Sequence, residues 1–108
     1  MRYIHVEIVY QGSHCPASFY MAQAVEEVLP LYGERVRFTK VEYQRSKDHS
    51  TRLLELSMSL FGEEAVRHGL KVAPIPSLFI NGKLVFDVIP ARDELEGAIE
   101  SFLEGRDY

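Results

Sequence analysis

Cys15 is the only cysteine in 108 residues, so any thiol chemistry of this chain runs through it. It stands in the run His14-Cys15-Pro16-Ala17-Ser18. Proline suits the first position of a helix, where its missing N–H would have no partner in any case. Cys15 therefore falls at or just before a helix N-terminus. Unpaired backbone N–H groups and the positive end of the helix dipole converge there. Both favour thiolate over thiol, so the pKa is expected below the free value of about 8.5. Ser18, three residues on, offers a hydroxyl and an N–H to the sulfur. The thiolate is the attacking species in thiol–disulfide exchange, and this is a suitable place for one. The alternative is a buried cysteine that serves as a small apolar residue. His14 beside it either lends charge to the sulfur or stands as a solvated loop histidine.

Other candidate groups are fewer. Pro74 and Pro76 lie in Ala73-Pro74-Ile75-Pro76-Ser77, and the simplest reading is proline at a strand entry, since proline cannot donate to a ladder. Glu7 lies in an otherwise apolar segment. On a central strand a carboxylate there relays protons with a raised pKa, or it is exposed or paired. His5, His14, His49 and His68 are dispersed, and no Cys-x-x-Cys or His-x-x-x-His spacing occurs, so no metal is expected. Gly12 alone makes no phosphate loop.

These groups are positioned by alternating elements. Tyr3 to Tyr10 is rich in β-branched and aromatic residues and predicts a strand. Gln11 to His14 is a loop. Pro16 to about Tyr32 has Phe19, Ala22, Val25, Val28 and Leu29 at helical spacing, with Gly33 as a stop. Arg35 to Tyr43 predicts a second strand, at an edge because it carries Arg35, Arg37, Lys40 and Glu42. After a polar loop, 44 to 49, a helix is expected from Ser50 to His68, with Gly62 able to split it. Ser77 to Ile80 and Leu84 to Val88 predict strands joined by Asn81-Gly82, a strong hairpin signal because both turn residues need positive φ. Pro90 to Leu103 is the last helix, with Asp93 and Glu94 in its first turn. The order β-α-β-α-β-β-α predicts one domain over 1–108: an α/β fold with a four-stranded mixed sheet and helices on both faces.

Composition narrows the function. Hydrophobic residues make up 46 % and charged residues 26 %, as in a globular domain with one core. Twelve Lys and Arg against sixteen Asp and Glu give a net charge of −4. Nucleic acid is a poor partner for such a chain, because phosphate binding needs clustered cations. No apolar stretch approaches the roughly 20 residues that span a bilayer. His5 and Glu7 interrupt any signal-peptide pattern at the start. The expected location is the cytoplasm, where thiols stay reduced. The oligomeric state is open.

The order of elements, Cys15-Pro16-Ala17-Ser18 after the first strand, Pro76 entering the third, and Asn81-Gly82-Lys83 at the hairpin resemble the thioredoxin superfamily over nearly the whole chain. The resemblance implies a thioredoxin-like domain with Cys15 as nucleophile and Ser18 as its partner. Dithiol members carry a second cysteine where Ser18 stands, so the implied mechanism is monothiol. Monothiol glutaredoxins share this Cys-x-x-Ser spacing. The resemblance also makes Pro76 a cis-proline facing the cysteine, with the Ile75 backbone free to pair with an extended substrate. His14 and Pro16, flanking the sulfur, join Ile75 and Pro76 as substrate-binding residues. The implied partners are protein or small-molecule thiols and disulfides, with no cofactor. The chain has no Trp, and Val85-Phe86-Asp87-Val88 replaces the Gly-Gly pair by which glutaredoxins hold glutathione. Two further readings stay open: a redox-inactive binding or scaffold module, and a single-cysteine redox sensor.

Overall fold

The first strand, β1, is Ile4–Tyr10, and six of its seven residues are buried. Alternation along the strand sends Ile4, Val6, Ile8 and Tyr10 to one face and His5, Glu7 and Val9 to the other. In the computed structural model, which describes residues 3–12, 14–42, 45–69 and 72–106, β1 is central in an open four-stranded sheet of order β2-β1-β3-β4. It pairs in parallel with β2 (Val36–Glu42) and antiparallel with β3 (Ser77–Ile80). β3 pairs antiparallel with β4 (Lys83–Phe86). The fold is thus α/β with a mixed sheet, and β2 is an edge as expected. Tyr43, the last residue of the expected second strand, lies outside the described residues.

The helices differ from expectation mainly at their starts. α1 runs Pro16–Tyr32, with Pro30 inside its last turn, and Gly33 ends it at a φ of 56°. A short 3-10 turn, Gly33–Arg35, leads into β2. α2 runs Lys47–Phe61, three residues earlier than the apolar periodicity suggests. Its cap is Ser46, whose Oγ accepts the His49 N–H at 3.4 Å. Lys47 and Asp48 are exposed, so the first turn carries no hydrophobic signal. Gly62, at a φ of 92°, separates α2 from α3 (Glu63–Arg67). Only Val66 of α3 is buried.

The hairpin is one residue tighter than expected. Asn81 and Gly82 take φ of 52° and 81°. Ile80 therefore pairs with Lys83, and the strand ends at Phe86 rather than Val88. Asn81 also ties the turn to the central strand. Its N–H donates to the His5 carbonyl, and its side-chain oxygen accepts the His5 N–H, both at 2.9 Å. α4 begins at Arg92, not Pro90. Ala91 is its cap, and its N–H donates to the Glu94 carboxylate at 3.0 Å.

Two apolar clusters hold these elements together. Ile4, Val6 and Ile8 pack with Met21 and Val25 of α1 and with Leu95 and Ile99 of α4. Val9 and Phe79 pack with Val41 and with Leu53 and Leu56 of α2. Each fully buried side chain of this size contributes about 1.5–3 kcal/mol relative to exposure.

The strand registers decide where the chemistry sits. Tyr10 pairs with Glu42, Val9 with Ser77, and Leu78 with Phe86. The loop after β1, the segment entering β3 and the segment leaving β4 therefore emerge at one end of the sheet. Cys15, Ile75–Pro76 and Val88–Ile89 belong to these three segments.

Candidate functional site at the start of the first helix

Cys15 caps α1 in an extended conformation, with φ of −95° and ψ of 105°. Its N–H donates to the Gly12 carbonyl at 3.0 Å, and its carbonyl accepts the Phe19 N–H at 3.0 Å. It is half-buried and free of any disulfide. Pro16 occupies the first turn, as expected. Ser18 is fully buried beneath it. The Ser18 Oγ accepts the Gln11 N–H at 3.3 Å, which leaves its own hydrogen to be donated elsewhere.

These donors change the thiol. The Sγ closes no capping hydrogen bond onto the first turn. The Ser18 hydroxyl nonetheless lies so as to favour the thiolate. With the Ser18 N–H and, more weakly, the Ala17 N–H, it holds the Cys15 pKa below its ordinary value. Partial burial opposes this shift without cancelling it. The direction matches the expectation from the helix start, with a serine side chain rather than the dipole alone as the largest cause.

The other sequence candidates divide. His14 is exposed and lies in the same loop, with its ring packed against Gly12. Ile75 and Pro76 are half-buried, and the bond between them is cis, the isomer that the family resemblance implies. They reach this end of the sheet through the pairing of Val9 with Ser77. Their segment is fixed by two hydrogen bonds. The Ala73 N–H donates to the buried Ser57 Oγ at 2.8 Å, and the Ser77 hydroxyl donates to the Pro74 carbonyl at 2.7 Å.

Apolar side chains are exposed in the same segments. Phe19 and Tyr20, one turn into α1, are 43 % and 55 % exposed and meet edge to face at 5.4 Å between ring centroids. Val88 and Ile89, leaving β4, are exposed as well. Phe19 shares the helical spacing of Ala22 and Val25, yet the first turn of α1 leaves it exposed.

Glu7 resolves in favour of pairing. It is buried, and the Arg52 guanidinium grips it at 2.7 and 2.6 Å through Nε and Nη2. The Arg52 pKa is raised chiefly by these bonds to Glu7. Sequence alone did not single out Arg52. The signal was a carboxylate on a central strand, which burial obliges to find a cation.

Among the described residues no group of three His, Cys, Asp or Glu could hold a metal ion, and no helix is long and apolar enough to cross a membrane. No family model matches the chain, and no curated protein matches its sequence.

Proposed function

We propose that this protein is a thioredoxin-like thiol–disulfide oxidoreductase that works through one thiol. The observation that carries the reading is the half-buried Cys15 at the cap of α1, with its pKa lowered first by the Ser18 hydroxyl. The two separate apolar clusters, one with α1 and α4 and one with α2, accord with helices on both faces of the sheet.

In the reaction the Cys15 thiolate attacks one sulfur of a disulfide R–S–S–R′. A Cys15–S–S–R bond forms, the S–S bond breaks, and R′S⁻ leaves and takes a proton from water. An external thiol, as its thiolate R″S⁻, then attacks the R sulfur; an R″–S–S–R bond forms, the Cys15–S bond breaks, and Cys15 leaves as the thiolate. Ser18 cannot perform this second attack, because its hydroxyl forms no disulfide. Its role is to hold negative charge on sulfur, which helps Cys15 both as nucleophile and as leaving group. Ile75 and Pro76, with His14 and Pro16, bound the site that receives the disulfide. The substrate class is protein or small-molecule disulfides.

The test is turnover of a small mixed disulfide with an added thiol donor. Cys15→Ser is expected to remove all activity, and turnover retained by that variant overturns the reading. A second reading, a binding module, draws on the exposed Phe19–Tyr20 pair. It predicts partner capture that survives Cys15→Ser and fails on Tyr20→Ala.

A further inference from the structure

We infer that the outer edge of β2 is a docking strand for an extended acidic peptide segment, which pairs with it as an added strand of the sheet. This surface stands apart from the thiol chemistry. The His5 N–H and C=O both engage Asn81, on the β3 side of β1. Backbone groups alternate in direction along a strand, so Ile4, Val6, Ile8 and Tyr10 turn theirs toward β2. In a parallel ladder the residue opposite such a group turns its own away. The register sets Val36, Phe38, Lys40 and Glu42 opposite these residues, so their N–H and C=O groups line the outer edge. The chain closes the two ends of that edge itself. The Val36 N–H donates to the Gly33 carbonyl. The Glu42 N–H donates to His49 Nδ1 at 2.8 Å, and the Glu42 carbonyl accepts the Arg45 N–H at 3.2 Å. Among the described residues nothing takes the Val36 carbonyl or either backbone group of Phe38 and Lys40.

The side chains beside these open groups select the partner. The net charge is −4, yet Arg35, Arg37, Lys40 and Arg45, out of twelve Lys and Arg, fall in this one strand and its flanks. Arg37 is exposed, with its guanidinium carbon 4.4 Å from the Tyr3 ring centroid. Among the described residues no carboxylate pairs with it. Lys40 is half-buried, 5.0 Å from the Tyr10 ring centroid, and reaches the exposed Glu26 at 3.5 Å. Lys and Arg on an edge discourage pairing with a like strand and favour an acidic one. Arg37 and Lys40 project to opposite faces of the strand. An antiparallel partner therefore answers both with an acid-x-x-acid spacing, and the residues between face Phe38 and Thr39.

The probe is a fluorescein-labelled peptide, Thr-Glu-Thr-Val-Glu-Val, whose anisotropy is followed as the full chain is added. Saturable binding is expected, weaker by about tenfold when both Glu are replaced by Lys, and weaker as salt rises from about 50 to about 500 mM. Arg37→Glu is expected to weaken binding of the acidic peptide about tenfold and to strengthen binding of the Lys peptide. Circular dichroism checks that the variant is folded. If it is not, Arg37→Gln replaces it, and the peptide series needs no change in the protein. Backbone pairing is read separately. N-methylation of the first Val, opposite Phe38, removes the donor to the Phe38 carbonyl and is expected to abolish binding. N-methylation of the second Thr, opposite Thr39, alters an N–H that faces solvent and is expected to cost less than about twofold. Equal effects of the two methylations, or equal binding of a single-stranded oligonucleotide, would mean charge attraction alone and overturn the assignment. So would no saturable binding up to about 1 mM. A dimer of the chain in sedimentation that the peptide does not dissociate would give the edge to a second copy and overturn it as well.

Discussion

Two regions place polar groups inside this small fold, and they do so to opposite ends. On one face of β1 the buried Glu7 gives both carboxylate oxygens to Arg52. Arg52 extends a further N–H to Glu55 at 3.3 Å. That cluster attaches α2 to the sheet. At the end of β1 the buried Ser18 is satisfied by the Gln11 N–H, yet the sulfur above it is half-buried and closes no cap. Its charged form is favoured while the residue stays half-buried rather than enclosed. Both regions carry perturbed groups, and only the second can present one to a reactant. A shifted pKa alone does not mark a chemical site; a shifted pKa on a group with spare valence and access does.

The contrast is broken most severely at the ion pair. Arg52→Ala leaves the Glu7 carboxylate buried without a partner. The expected loss is about 2–3 kcal/mol, less than the roughly 3–5 kcal/mol of a fully buried pair because water reaches part of Arg52. Urea unfolding measures it. The Cys15 alkylation midpoint should stay where it is, and a moved midpoint would mean that the two regions are coupled.

Ser18→Ala acts on both stability and chemistry. The exposed Gln11 loses the acceptor of its N–H in a part-buried bond, which costs about 1 kcal/mol. The Cys15 midpoint rises, because the largest cause of its lowering is gone. The sign follows from the charge. A donor that stabilises thiolate lowers the pKa, so its removal raises it, and alkylation near neutral pH slows. Ser18→Cys should instead permit an internal disulfide between Cys15 and the introduced thiol, seen as the loss of two hydrogens in the intact mass on oxidation.

The smallest effect separates cap from cap. Ser46→Ala removes the Oγ that accepts the His49 N–H at the start of α2. About 0.5–1 kcal/mol of stability is expected to go with it. Cys15 reactivity should not change, since α1 and α2 pack into different apolar clusters.

Much of this was legible beforehand. The apolar period of α1, the Asn81-Gly82 turn and the alternation in β1 each follow from a strong local rule. Their elements lie within a residue or two of the expected bounds. What escaped was set by contacts distant in sequence or by polar caps. The start of α2 depends on Ser46 and on two exposed residues that a hydrophobic pattern cannot register. The start of α4 depends on the Glu94 carboxylate reaching the Ala91 N–H. At the site, Cys15, Pro16 and Ser18 could be grouped because helix spacing fixes them. Gly12 and Gln11 could not, because their part follows from a φ of 140° and a bond seven residues long in sequence. Arg52 was hidden for the same reason, since 45 residues separate it from Glu7.

If the fold activates Cys15, its thiol titrates lower in the native protein than in the unfolded chain. The rate of Cys15 alkylation is followed against pH in the native protein and in denaturant, where the lone thiol gives a single signal. The expected result is a native midpoint below the unfolded one, with fast reaction near neutral pH. A native thiol that reacts slowly at every pH, or that titrates at or above the unfolded value, would contradict it.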